Sequence, residues 1–102
     1  MSLKKSYSKD KKHCKVTFSV SKEASHGAEK IYIAGDFNSW SSTETMLKKD
    51  KNGDFSVTLP LEAGREYQFR YLLDGKTWDN DWEADKYIPA PFSHDDNSVV
   101  IC

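Results

Sequence analysis

Apolar side chains in this chain recur at every second position, a period that suits strands and not helices. Val16, Phe18 and Val20 are separated by Thr17 and Ser19, and Ile31 and Ile33 flank Tyr32. Phe55, Val57 and Leu59 enclose Ser56 and Thr58, while Tyr67, Phe69, Tyr71 and Leu73 enclose Gln68, Arg70 and Leu72. Val99, Val100 and Ile101 form a short apolar run near the end. Turn residues punctuate these segments: Gly35-Asp36, Asn52-Gly53, Ala63-Gly64, Asp74-Gly75 and the Pro89/Pro91 pair. The best helical candidate, residues 42–49, offers only about two turns of mixed polar side chains. Short, regularly spaced strands predict an all-β antiparallel sandwich. Asn52-Gly53 predicts a hairpin with a primed turn between residues 46–49 and residues 55–59.

With 102 residues the chain has length for one domain, expected over residues 14–102. Residues 1–15 hold six lysines against Asp10 alone, although the whole chain has a net charge of only -1. Residues 1–13 are therefore expected as a basic N-terminal arm, free to be flexible. No overall field exists to attract nucleic acid, and no apolar run approaches the ~20 residues that cross a membrane. The start of the chain lacks the apolar region of a secretory signal. Cys14 and Cys102, outside any C-x-x-C pair, are expected as free thiols in a reducing cytoplasm.

Little here points to catalysis. Asp79, Asp81, Glu83 and Asp85 alternate along seven residues, but a calcium loop starting at Asp79 would need Gly and Glu where Ala84 and Ala90 stand. The run is expected as a solvated loop, with no metal and no cofactor. His13 lies beside Cys14, but neighbours on a strand face opposite ways and are poorly placed for proton transfer. No nucleophile elbow and no phosphate-cradling glycine loop occurs.

Recognition by aromatic and planar polar groups is what remains. Trp40, Trp78 and Trp82 lie outside the alternating strand cores, which Val, Ile, Phe and Tyr already fill. Trp40 and Trp78 follow turns at strand ends and are expected as exposed platforms. Trp82 is expected to cap an edge of the sandwich with its indole N–H bonded. The apolar face of a hexose ring lies flat on an indole, while its hydroxyls need polar partners at the rim. Arg70 alternates away from the Tyr67/Phe69/Tyr71/Leu73 face, and its planar fork matches vicinal hydroxyls. Asn97, just before the final apolar run, offers an acceptor and two donors.

The run Ile31-Tyr32-Ile33-Ala34-Gly35-Asp36-Phe37-Asn38-Ser39-Trp40 resembles the opening motif of family 48 carbohydrate-binding modules. These are the early-set domains of isoamylases and glycogen branching enzymes and the glycogen-binding module of the AMP-activated kinase β subunit. The stretch from Glu66 through Asp74-Gly75-Lys76-Thr77-Trp78, and Asn97-Ser98-Val99-Val100, extend the likeness over about residues 14–102. It is nearest to the small stand-alone bacterial proteins of this type. The resemblance implies an immunoglobulin-like sandwich of the early-set kind and non-catalytic binding of α-1,4-glucan. By position it assigns stacking to Trp40 and Trp78 and hydroxyl contacts to Arg70 and Asn97, with Trp82 and Phe92 as accessory candidates. Two departures stand out. The Leu-Gly-Thr loop of the kinase module is Ser93-His94-Asp95 here, and one extra residue separates Gly75 from Trp78. Family members attached to enzymes also act as packing domains, so a protein-interaction role beside a glucan-processing enzyme is the alternative expectation.

Overall fold

The computed structural model describes residues 1–90 and 95–102. In chain order its strands are β1 (Ser2–Tyr7), β2 (His13–Val20), β3 (Ile31–Gly35), β4 (Lys48–Lys49) and β5 (Phe55–Glu62). They continue with β6 (Glu66–Leu73), β7 (Thr77–Asp79), β8 (Lys86–Pro89) and β9 (Asp96–Ile101). A 3₁₀ turn, Asp36–Asn38, follows β3. One sheet runs β1-β2-β5-β4 and the other β3-β6-β9-β8, with β7 also pairing β6. Every pairing is antiparallel, so the expected sandwich is the observed one.

The period-2 pattern decides which face is buried. Val16, Phe18 and Val20 from the first sheet meet Ile31, Ile33, Tyr67, Phe69 and Tyr71 from the second in one core. Phe18 meets Phe69 edge-on, ring centres 5.0 Å apart, and Phe69 meets Tyr71 in the same way at 5.7 Å. Burying each such ring stabilises the fold by about 1.5–3 kcal/mol, and edge-to-face geometry adds to that.

Two local features differ from expectation, and one stretch between them crosses from sheet to sheet. The basic segment forms β1, paired along β2 from Ser2↔Ser19 to Tyr7↔Cys14. Leu3 packs against the core, the Lys5 ammonium lies 2.7 Å from Asp85, and the Tyr7 hydroxyl donates to the Cys102 carbonyl. Residues 42–49 form no helix. Met46 bridges Tyr32 in the second sheet, whereas Lys48 and Lys49 pair with β5 in the first, so this stretch crosses between layers on the buried Leu47. The hairpin it opens exists, but Asn52-Gly53 is not a primed turn. Of the two, only Gly53 has positive φ, and the Asp50 carboxylate accepts from the Asn52 and Asp54 amides. That local bonding favours a three-residue loop ending in a left-handed glycine.

Asp74-Gly75 takes the conformation expected of Asn52-Gly53: both residues have positive φ, and the Asp74 carboxylate accepts from the Glu29 and Lys30 amides. The extra residue ahead of Trp78 is taken up in this turn. Leu73 pairs with Thr77 across residues 74–76, and Trp78 stands opposite Leu72. Inserted within the strand instead, it would have turned the indole to the other face.

Candidate functional site

Strand β6 changes partner halfway along its length. Residues 66–69 pair with β9 and residues 71–73 with β7, leaving Arg70 at the exchange point. Alternation turns Gln68, Arg70 and Leu72 away from the core, and Trp78, opposite Leu72, shares their face. Asn97, the second residue of β9, lies beside them. Its Oδ1 accepts from Arg70 Nε at 2.7 Å and its Nδ2 donates to Gln68 Oε1 at 3.0 Å. Arg70 Nη2 is buried and has no hydrogen-bond partner among the described residues.

Trp40 is tied to β6 through the loop after β3, where each residue has a distinct task. A Cβ at Gly35 would come within 2.5 Å of the Gln68 carbonyl oxygen and 2.8 Å of Phe69 Cβ, so the close approach of β3 to β6 requires glycine. Phe37 turns inward against Phe18 and Tyr67. Asn38 accepts from the Gly35 amide and donates to the Ile33 carbonyl and Thr45 Oγ1. Ser39 and Trp40 both adopt left-handed φ, and the Trp40 amide returns to the Gly35 carbonyl at 2.9 Å. The indole Nε1 then donates to Asp36 Oδ1 at 2.9 Å, while Asp36 Oδ2 accepts from the Gln68 amide at 2.8 Å.

The indoles of Trp40 and Trp78 are 37% and 46% exposed. Asn97, by contrast, is only 5% exposed, with both ends of its amide engaged. Arg70 is half-buried. The hydrogen bonds thus join Trp40, Arg70 and Asn97, and strand parity adds Trp78. Trp82 differs from its expected edge-capping role. It is the most exposed of the three tryptophans at 60%, because the residue before it turns inward and carries the chain through a turn. Phe92, Ser93 and His94 lie outside the described residues.

That inward residue is Asp81, and its burial corrects the expectation of a solvated acidic run. Its Oδ2 accepts from the Tyr71 hydroxyl at 2.8 Å and its Oδ1 from the Glu83 amide at 2.8 Å. The Asp81 amide donates to Ser98 Oγ, which donates to Asn80 Oδ1, and the Tyr87 hydroxyl donates to the Asp81 carbonyl. Burial raises the Asp81 carboxyl above its ordinary value, and the two donors partly offset this. Burial, reinforced by the neighbouring Asp81 charge, pushes the Tyr71 phenol well above 10. This network fixes the tract that follows Trp78. Asp36, Gln68 and Asp81 were absent from the sequence reading of the site. They are polar residues in polar surroundings, and only long-range partners give them roles.

The family model for the glycogen recognition site of AMP-activated protein kinase matches residues 20–100 of this chain, a span that includes Trp40, Arg70, Trp78 and Asn97. PTST homolog 2, a chloroplastic protein of Arabidopsis thaliana, is 31% identical over 78 residues, which is 74% of this chain and 13% of that protein. The human 5'-AMP-activated protein kinase subunit beta-2 is 35% identical over 57 residues, 56% of this chain and 20% of the subunit. The 1,4-alpha-glucan-branching enzyme of Saccharomyces cerevisiae is 47% identical over 45 residues, 42% of this chain and 6% of the enzyme. This chain accordingly spans 13% of the first of these relatives and 20% of the second.

Proposed function

The chain belongs to the carbohydrate-binding modules that include the glycogen recognition site of AMP-activated protein kinase, and from that membership we propose that residues 14–102 bind α-1,4-glucan without catalysis. The ligand lies across the outward face of the second sheet. Trp40 and Trp78 stack on hexose rings, and Arg70, held by Asn97, donates to hydroxyls between them.

The observation that carries this reading is the Arg70 Nη2 atom, buried without a partner among the described residues and linked through Asn97, Gln68 and Asp36 to the exposed Trp40. An unmade hydrogen bond on a buried charged group costs about 1–3 kcal/mol or more, and a sugar hydroxyl would remove that cost. Two stacked indoles, each worth on the order of 1 kcal/mol beyond buried area, plus a few hydroxyl bonds suggest micromolar to millimolar affinity. Trp82 and Phe92 are accessory candidates for a longer glucan. The free thiols of Cys14 and Cys102 support a reducing compartment, and we assign the cytoplasm. A glucan-processing enzyme is the partner class suggested by the branching-enzyme relative.

Titration with maltoheptaose, followed by tryptophan fluorescence, tests the reading. A saturable quench or blue shift that disappears in Trp40→Ala or Trp78→Ala is expected. A flat titration of the wild-type protein overturns it.

A further inference from the structure

A series of hydrogen bonds, joined through the backbone and side chain of Gln68, links Trp40 to Arg70. Trp40 Nε1 donates to Asp36 Oδ1, and Asp36 Oδ2 accepts from the amide of Gln68. Gln68 Oε1 accepts from Asn97 Nδ2, and Asn97 Oδ1 accepts from Arg70 Nε. From this series we propose that Asp36 and Gln68, neither of which need touch a ligand, are positioning residues of the glucan site: Asp36 sets the indole platform and Gln68 sets the guanidinium. The inference rests on the glucan-binding reading above.

The polarity of the series admits one arrangement. A guanidinium can only donate, so Asn97 must turn its oxygen to Arg70 and its NH₂ away. Gln68 must then present its oxygen to that NH₂. Without the Gln68 acceptor, the Nδ2 end of the Asn97 amide loses its fixed partner, and the hydrogen bond to Arg70 alone orients Asn97. The anchor of the guanidinium would loosen, and the direction of Nη2 with it. Asp36 acts at the other end. Trp40 sits in left-handed backbone, where a bulky residue is strained, and the Asp36 carboxylate is the fixed point holding its ring. Because the other carboxylate oxygen is tied to the β6 amide two residues before Arg70, platform and guanidinium share one frame. Preorganisation of this kind lowers the ordering cost of binding instead of adding a contact.

The test compares maltoheptaose affinities of the wild type, Gln68→Leu, Gln68→Glu, Asn97→Ala and the Gln68→Leu/Asn97→Ala double variant, with Asp36→Asn read by the indole Nε1 proton resonance of Trp40. Gln68→Leu is expected to weaken binding about three- to tenfold, the worth of one hydrogen bond. Gln68→Glu, which keeps the acceptor, should stay within about twofold of wild type, and Gln68→Leu should add nothing once Asn97 is gone. Asp36→Asn should move the Trp40 indole resonance and weaken binding, because one amide oxygen cannot serve both donors. Wild-type binding unchanged in Gln68→Leu, or lost equally in Gln68→Glu, overturns the role of Gln68. An unmoved Trp40 resonance overturns that of Asp36. A wild type that does not bind removes the glucan reading itself, which is a separate result.

Discussion

Replacing Tyr71 by Phe removes one oxygen from the centre of the fold and leaves its shape intact. That oxygen donates to the Asp81 carboxylate at 2.8 Å, and both residues are fully buried. A hydrogen bond to a charged group contributes about 1.5–3 kcal/mol, and here its loss leaves the carboxylate with the backbone amide of Glu83 as its remaining donor among the described residues. We expect a loss of about 2 kcal/mol at about pH 7, roughly 10 °C in Tm for a domain of this size. The pH dependence gives the sharper test. Burial holds the folded-state value of Asp81 above its unfolded one, so this group's contribution is fully present below the unfolded value and is lost as pH rises through the folded value. Deleting a donor that favours the charged form moves the folded value higher still. The penalty for Tyr71→Phe should therefore be smaller at about pH 4 than at about pH 7. Urea unfolding of both proteins at the two pH values, followed by tryptophan fluorescence, measures the difference, with all other carboxylates common to both. Equal penalties at both pH values, or a loss under about 0.5 kcal/mol, would refute the reasoning.

Trp40→Ala and Trp78→Ala should each weaken maltoheptaose binding about 5–30-fold while shifting Tm by no more than about 3 °C, checked by titration and thermal melts. Gly35→Ala should cost about 1–3 kcal/mol in urea unfolding, since the added methyl meets the Gln68 carbonyl and the Cβ of buried Phe69; an unchanged midpoint would mean that β3 and β6 separate easily. The Cys102 thiol is pushed up to about 12 by burial and by the neighbouring Cys14 thiol, which keeps the reactive thiolate scarce near neutral pH. Reaction with a disulfide reagent should be slow in native buffer and reach two thiols promptly only in denaturant. Asp74 works against Asp81: hydrogen bonds from the Lys30 and Glu29 amides hold its carboxyl below the usual value. Its stabilising contribution is present above the unfolded value and fades as pH falls through the folded one, so Asp74→Ala should flatten the acid limb of a Tm-against-pH curve.

What the sequence discloses depends on whether a residue's surroundings repeat. Phe18, Ile33 and Phe69 were legible as core because alternation is a local pattern, and the same parity turned Arg70 outward before any strand was paired. Strand β1 escaped notice because its apolar side is made of Leu3, the stem of Lys5 and Tyr7, between lysines that keep an edge strand from pairing with other chains. Strand β8, with Pro89 at an edge, is similarly short of pattern. Asn52-Gly53 and Asp74-Gly75 carry the same signal, but the first, expected to be primed, sits in a loop where the Asp50 carboxylate accepts from the Asn52 and Asp54 amides. Asp36, Gln68 and Asp81 could not be read at all, because their partners lie 32, 29 and 10 residues away.

The exchange of partners along β6 explains why polar groups collect where they do. A strand that passes from β9 to β7 within two residues leaves a gap in its ladder at Arg70, and a gap in a sheet exposes both faces to polar demand. Inward, the gap is closed by Tyr71, Asp81 and Ser98, a fully buried trio whose hydrogen bonds hold the tract after β7 against the start of β9. Outward, it is closed by Arg70, Asn97 and Gln68, where one guanidinium nitrogen still lacks a partner among the described residues. Departures from the simplest packing are tolerated where they serve a site. Here the departure on the core side is fully satisfied, whereas on the other side Arg70 Nη2 has no partner among the described residues.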